Sequence, residues 1–136
     1  TDLKQLAGRT EIWLERQRPA LPAPARQLVA NIGVQLDLLA PQLQNLDTNS
    51  PAAHHIRKLV ADDLPELVSG YQRIPANLRK EPHAGRTPDE TLVGGLQMLE
   101  REIGDAARNL AAGEMDKLAT RERYLQLKYQ GIDAED

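Results

Sequence analysis

Apolar residues recur at intervals of three and four along most of the chain, which is the period of one face of an α-helix. Amphipathic segments alternate with proline-rich or polar breaks, and we expect each segment to form a helix. The first extends over about residues 2–18 and ends in the sequence 19–24, where closely spaced prolines cannot continue a helix. The second covers about 24–46. Pro41 lies near its end and predicts a kink or the loss of the last turn.

The third segment begins with a clear start signal. Ser50 is a favourable N-cap, and Pro51 fits the first helical position, where its missing N–H costs nothing. Pro65 lies inside the apolar stripe that follows. It predicts either a kink near residues 61–64 or a second helix start at Asp63.

The fourth segment has the strongest start signal in the sequence. Thr87 followed by Pro88 and, at the third helical position, Glu90 matches a capping box. Behind it, apolar residues alternate by four and three like the a and d positions of a coiled coil: Leu92, Leu96, Leu99, Ile103, Ala106 and Leu110. A second stripe, shifted by about one residue, follows Gly113: Met115, Leu118, Leu125 and Tyr129. We expect the chain to turn at Gly113, with one continuous long helix as the alternative.

These patterns predict an all-α fold, an up-and-down bundle of four to five helices with proline kinks and a C-terminal helical hairpin. The composition agrees: the chain is 40% hydrophobic but contains no Phe, and Leu recurs throughout, as suits helices packed side by side. We expect residues 1–136 to form a single helical domain. Because the first residue is Thr1 rather than Met, we expect this domain to be a fragment of a longer chain.

Charge and cysteine content restrict the function classes. A net charge of −3 gives no reason to expect nucleic-acid binding, which needs a basic surface to neutralise phosphates. The absence of cysteine excludes disulfides and thiol chemistry and fits the cytoplasm, including the cytoplasmic part of a membrane-anchored protein. No apolar run approaches the roughly 18 residues of a membrane span. Membrane contact is therefore expected only through a basic patch or through regions outside this chain.

Residues that could hold a metal or a cofactor are few and poorly spaced. His54 and His55 are adjacent, so on a helix their side chains point about 100° apart and cannot share one metal ion unaided. The acidic residues Asp62, Asp63 and Glu66 fit a helix N-terminus, with a divalent cation or a carboxylate pair as the alternative. We predict no metal and no cofactor.

Catalytic motifs are not recognisable either. The chain has no P-loop, no nucleophile elbow and no dinucleotide fingerprint. Gly94 and Gly95 lie inside the fourth segment, where a phosphate cradle would not be expected, and they indicate a close approach between helices instead. No catalytic residue is predicted, and an enzyme is the less favoured class.

One basic stretch is the best candidate for a binding site. Tyr71, Arg73, Arg79, Lys80 and Arg86 follow one another closely around two prolines. Cations near a helix C-terminus are favoured by the helix dipole, which would explain them without a ligand. The alternative is a patch that binds an anion, a phosphorylated partner or a lipid headgroup.

A series of apolar packing positions runs from Asp62 to Tyr129: Leu64-Pro65-Glu66-Leu67-Val68 with Tyr71, then Ile74-Pro75, then Leu96, Leu99-Glu100 and Ile103, with Leu118 and Tyr124-Leu125 further on. In these positions the segment resembles the bromo-chloro-indolyl phosphate hydrolysis protein family of bacteria. The resemblance implies a helix followed by a long helical hairpin and a link with toxic-anion-resistance proteins. The family is named for a phenotype, so the resemblance supplies no catalytic residue.

The sequence thus favours a non-enzymatic interaction or scaffold module of a larger bacterial protein, which presents a helical face to a protein partner or to its own copy. A hydrolase or anion-handling protein using the basic stretch is the first alternative. Peripheral membrane contact through the same stretch is the second.

Overall fold

Helices make up nearly all of the chain in the structure, a computed structural model that describes residues 2–130. The α-helices are α1 (Leu3–Gln17), α2 (Ala23–Leu43), α3 (Pro51–Arg57), α4 (Leu64–Gln72) and α5 (Pro88–Leu125). Short 3-10 turns at Arg18–Ala20 and Ala76–Leu78 follow α1 and α4, and π-helical turns at Lys58–Asp63 and Gln126–Gln130 precede α4 and follow α5. Residues 2–130 contain no β-strand, so the predicted all-α fold is confirmed.

The predicted helix starts are formed by the expected hydrogen bonds. The Thr87 hydroxyl accepts from the Glu90 N–H at 3.1 Å, and the Glu90 carboxylate accepts from the Thr87 N–H at 2.9 Å. The hydrogen bond from the Thr87 backbone has the largest effect on Glu90, followed by the one with the Thr87 side chain, and both lower the pKa of Glu90. The Ser50 hydroxyl likewise accepts from the Ala53 N–H at 3.2 Å. The starts of α3 and α5 are therefore fixed by local sequence.

The junction between α3 and α4 is a change of helix type. Pro65 has no N–H to give to the carbonyl four residues earlier, and the helix widens into the π-helical turn just before it. There the Leu64 N–H bonds to the Leu59 carbonyl, five residues back. The Thr10 hydroxyl of α1 donates to the Val60 carbonyl at 3.2 Å. This contact with α1 thus gives a hydrogen-bond donor to the Val60 carbonyl, which the change of helix type leaves without its usual partner.

The core is aliphatic, and α2 lies in contact with both α1 and α5, while α4 packs on α5. The α2 residues that face the core are at most 1% exposed: Val29, Ile32, Leu36 and Leu39. From the predicted seam of α5, Leu92, Leu96 and Ile103 are just as deeply buried, whereas Leu99 and Leu110 are partly buried against the same cluster. The face of α5 predicted from periodicity does form part of the core.

The predicted C-terminal hairpin is wrong, because α5 continues straight through Gly113. A glycine in a helix costs only about 1 kcal/mol relative to alanine, and the neighbours Ala111, Ala112 and Glu114 are strong helix formers. Among the glycines from residue 2 to residue 130, a positive φ occurs at Gly85 and not at Gly113. The shift in the apolar stripe therefore moves the apolar face to another side of the same helix, and the direction of the chain does not change.

The end of this long helix is exposed in the part of the chain that the structure describes. Every residue from 112 to 130 is exposed. We call this segment the arm and residues 3–111 the body. At 1.5 Å per residue the arm is about 28 Å long.

Candidate functional site

Tyr71 is the centre of the predicted basic site, and it is buried. Its ring lies in α4, only 7% exposed, and its hydroxyl donates to Asp89 Oδ1 at 2.5 Å. Burial and then the hydrogen bond to the Asp89 carboxylate raise the pKa of Tyr71 to about 12. The phenol therefore stays protonated at neutral pH. It is a hydrogen-bond donor that ties α4 to the first turn of α5.

Arg79 completes this corner by ending α4. Its guanidinium lies over the Tyr71 ring, 4.7 Å from the centroid. Its Nε donates to the Ile74 carbonyl at 2.9 Å and an Nη donates to the Gln72 carbonyl at 3.2 Å. Gln72 is the last residue of α4 and Ile74 follows its C-cap, so the guanidinium lies at the C-terminal end of the helix, where a cation is favoured by the helix dipole. The charge that the sequence marked as a ligand site is used here to cap a helix.

The other cations are spread around the same corner. Lys80 is 90% exposed and its Nζ lies 3.9 Å from Asp89 Oδ2, while Arg86 donates to the Glu90 carbonyl at 3.0 Å. Arg73 is an exposed residue at the end of α4. Tyr71, Arg79 and Lys80 therefore meet around Asp89, and Arg86 lies along the first turn of α5. This is the arrangement expected of helix-end charges, and ligand binding by these residues stays a prediction.

Two cavities border the corner and share Arg86. The smaller, of about 330 Å³, lies between α4 and α5 and is lined mainly by apolar side chains, among them Leu67, Tyr71 and Leu92. The larger, of about 660 Å³, opens beside the start of α2. Its charged lining consists of Arg26, Lys80, Arg86, Asp89 and Glu90. Because carboxylates lie among the cations, the larger cavity offers an anion only a weakly positive environment.

Arg86 is positioned by a tight turn. His83 and Arg86 exchange backbone hydrogen bonds of 2.8 and 3.2 Å, and between them Ala84 and Gly85 have φ of 53° and 84°. Positive φ at both central residues defines a type I′ turn, which is unfavourable for alanine. The segment between α4 and α5 is thus closed by a single strained turn.

Of the two adjacent glycines, Gly94 and Gly95, the second has the predicted role in helix packing. A Cβ on Gly95 would lie 2.7 Å from a methyl carbon of Leu67 in α4, so a larger residue there would force the Leu67 side chain to move. At Gly94 a Cβ would meet the Arg86 guanidinium at 3.0 Å. Neither glycine lies at a helix N-terminus, where a phosphate would bind.

A carboxylate pair between α1 and α2 was not predicted from the sequence. Burial, followed by the hydrogen bond and the charge of Asp37, raises the pKa of Glu11 to about 7. The Glu11 carboxylate lies over Gly33 of α2, where a Cβ would stand at an ordinary contact distance of 3.8 Å. The two acids come from different helices, so no local spacing could have revealed them.

Six of the eleven exposed large hydrophobic side chains in the described part of the chain lie in the arm. Its exposed apolar side chains, between 40% and 75% accessible, are Met115, Leu118, Tyr124, Leu125, Leu127 and Tyr129. Most of them form the second stripe seen in the sequence, with Leu127 on the opposite face. Arg121 and Lys128 lie over the Tyr124 ring at 5.0 and 5.8 Å. A helix in water with such a stripe is typical of a surface that binds another helix.

Comparisons with known proteins add no identity: no family model, no curated protein and no solved structure matches the chain. Within residues 2–130, no group of three or more acidic or histidine side chains is placed to hold a metal ion. In the same residues, no helix is both long and apolar enough to cross a membrane.

Proposed function

We propose that this chain is a non-enzymatic interaction module that presents the arm of α5 to another helix, either of a protein partner or of its own copy. The observation that carries the proposal is the exposure of the arm together with its apolar stripe. The body would serve as the base that holds the arm, with its helices in up-and-down order. A cytoplasmic setting is part of the same proposal.

The energetics of an isolated helix support this function. A helix without a neighbour gains little stability, because most helical stability in proteins comes from packing of an apolar face. Leu118 is 71% exposed and Met115 is 62% exposed. Burial of such a side chain contributes up to about 1.5–3 kcal/mol. A second helix on the stripe would therefore stabilise both the arm and the complex.

The proposal can be tested by site-specific photocrosslinking in cells. A photoreactive amino acid at Leu118 should give discrete adducts with a partner or with a second copy. The same amino acid at Leu127, on the opposite face of the arm and 75% exposed, is the matched control. Absence of adducts at both positions, or the same adducts at both, would contradict the proposal.

The alternative functions centre on the basic corner. An anion-handling or hydrolytic role would use Lys80 and Arg86 beside the larger cavity, and peripheral membrane contact would use the same cations. Saturable hydrolysis of a chromogenic phosphate ester, lost in Lys80→Glu, would favour the first. Binding to anionic vesicles, lost in the same variant, would favour the second. The interaction module is preferred because Tyr71 and Arg79 are already engaged within the protein.

A further inference from the structure

We propose that the cavity of about 330 Å³ between α4 and α5, which we call the apolar cavity, binds a small apolar monocarboxylate whose carboxylate pairs with Arg86. This ligand site lies outside the arm, so it goes beyond the proposed function and does not depend on it. Three observations on residues 2–130 carry the proposal. They are an unfilled apolar volume, walls that are fixed in place, and an arginine that forms no ion pair.

The apolar cavity has the size of a site for a small molecule. Its volume is near the lower end of the range usual for ligand pockets. Since liquid water takes up about 30 Å³ per molecule, the space holds a ligand of roughly ten non-hydrogen atoms. Water on apolar walls finds few hydrogen-bond partners, so an apolar ligand that displaces it gains free energy. The apolar side chains of the lining are Leu67, Tyr71, Ile74, Pro88 and Leu92.

The walls of the apolar cavity are held in place without a ligand. The Tyr71 hydroxyl is bonded to Asp89 at 2.5 Å, and the Arg79 guanidinium covers the Tyr71 ring. On the other side, Leu67 packs so closely on Gly95 that a Cβ there would lie 2.7 Å from it. A ligand therefore enters a preformed space and has little protein to order, which favours its affinity.

Gly70 of α4 keeps part of this space open. It lines the apolar cavity, and among the described residues only the Arg73 guanidinium would come within 4 Å of a Cβ there, at 3.7 Å. Close packing of α4 on a neighbouring helix therefore does not require this glycine, although glycine lowers the stability of a helix. The missing side chain instead leaves volume at the wall of the cavity.

Arg86 supplies the charge for the ligand. One Nη donates to the Glu90 carbonyl at 3.0 Å, and a Cβ on Gly94 would stand 3.0 Å from the guanidinium, so that glycine gives it room. Within residues 2–130, Arg86 forms no ion pair with a carboxylate. A guanidinium has five N–H donors, and a carboxylate can accept two of them in parallel. In the described part of the chain, Arg86 thus has donors left for a ligand.

The turn before α5 brings a second donor to the same cavity. His83 and Arg86 are paired across the type I′ turn, and both line the apolar cavity. Ala84 holds this turn with a φ of 53°, and backbone strain of this kind is concentrated at binding and active sites. A neutral imidazole carries one N–H, which can donate to the ligand carboxylate beside Arg86.

Glu66 restricts the ligand to one negative charge. It is the acidic residue among the described residues that line the apolar cavity. A second carboxylate or a doubly charged phosphate on the ligand would be repelled by it, because like charges brought together at an interface cost free energy. The lining therefore fits an aryl or alkyl monocarboxylate better than a dicarboxylate or a phosphate ester.

The first test is a titration of the isotope-labelled purified chain with phenylpropionate, followed by NMR of the backbone amides. Saturable shifts should centre on Gly70, Thr91 and Leu92, with a Kd between about 10 μM and 1 mM. The neutral analogue phenylpropanol should bind roughly tenfold more weakly, because it cannot form the charge-assisted pair with Arg86. No saturable shift of these amides below about 10 mM acid, or equal affinity for the alcohol, would overturn the proposal.

Two analogues test the charge of the ligand. Phenylsuccinate, which adds a second carboxylate, should bind roughly tenfold more weakly than phenylpropionate, and Glu66→Gln should reduce that difference. Free phenylalanine, which adds an ammonium group, should also bind more weakly. Tighter binding of phenylalanine than of phenylpropionate would overturn the monocarboxylate class in favour of a zwitterion.

A pair of arginine variants tests the anchor. Arg86→Gln should weaken binding of phenylpropionate roughly tenfold or more and leave the melting temperature nearly unchanged, since Arg86 is exposed. Arg101→Gln, at an exposed position of α5 that lines a different cavity, is the matched control and should bind like the wild type. Equal affinity of Arg86→Gln and wild type would exclude Arg86 as the anchor.

A pair of glycine variants tests the location. Gly70→Leu should fill part of the apolar cavity and abolish binding, while the melting temperature stays equal or rises because a glycine has left the helix. Gly8→Leu in α1, where a Cβ meets nothing within 4 Å, is the matched control and should keep the wild-type affinity. Gly70→Ala, the smaller change, should weaken binding in part. Wild-type affinity in both Gly70 variants would place the ligand elsewhere and overturn the proposal.

Discussion

Replacing Tyr71 by Phe tests whether the corner between α4 and α5 is a structural joint. The change removes one oxygen atom and with it the 2.5 Å hydrogen bond to Asp89. It keeps the ring, so that the Arg79 guanidinium can remain stacked on it and continue to cap α4. The variant therefore isolates the hydrogen bond from the packing.

The size of the effect follows from the surroundings of Asp89. A hydrogen bond to a charged group contributes about 1.5–3 kcal/mol to stability, and its loss leaves the carboxylate to find another donor. Here the Asp89 side chain is 19% exposed and has Lys80 Nζ at 3.9 Å, so water and the ammonium group replace part of what is lost. We expect Tyr71→Phe to lower the free energy of unfolding by about 1–2 kcal/mol.

The measurement is urea-induced unfolding followed by far-ultraviolet circular dichroism. The matched control is Tyr124→Phe in the arm, where the ring is 47% exposed and the loss should stay within about 0.5 kcal/mol. Equal stability of Tyr71→Phe and wild type would refute the reasoning. It would mean that the hydrogen bond between Tyr71 and Asp89 contributes no more free energy than the hydrogen bonds to water that replace it. The corner would then be held by the apolar contacts alone.

Three further changes probe other parts of the chain. Thr87→Ala should lower the free energy of unfolding by about 0.5–2 kcal/mol through loss of the cap, and an unchanged urea midpoint would place the start of α5 elsewhere. Gly113→Ala should increase helicity at 222 nm and add up to about 1 kcal/mol, since a Cβ there meets nothing within 4 Å; a loss of helicity would speak for a turn. Glu11→Gln should stabilise the protein above pH 7. The pKa of Glu11 is raised to about 7, so the wild type is most stable where Glu11 is protonated and loses stability between pH 4.5 and about 7. Thermal melts of the wild type and the variant are compared at pH 5 and at pH 8. The stability of Glu11→Gln relative to the wild type should be greater at pH 8 than at pH 5, by on the order of 2 kcal/mol. The same pH dependence in both proteins would contradict the interaction between Glu11 and Asp37.

Much of the fold could be predicted because its determinants are local. The caps at Ser50 and Thr87 are set by residues within one turn, and the periodicity of Leu92, Leu96 and Ile103 shows which face of α5 is buried. The arm could be predicted only in part. Its stripe was visible, but the same shift of register fits a turn at Gly113 or a rotated face on one helix. The helix continues because a single glycine between strong helix formers costs little free energy.

The sequence by itself thus determined the helices, their starts and most of the faces that form the core, because each depends on residues three or four apart. Only the tertiary structure decided how the charged groups are used. The sequence singled out Tyr71 and Arg79 as candidate binding residues, but it could not show that the packing of α4 on α5 gives them backbone carbonyls and Asp89 as partners. Glu11 and Asp37 became a pair only when α1 packed on α2. A charged side chain takes its role from the groups that the fold brings within a few ångströms of it, and spacing along the chain does not contain that information.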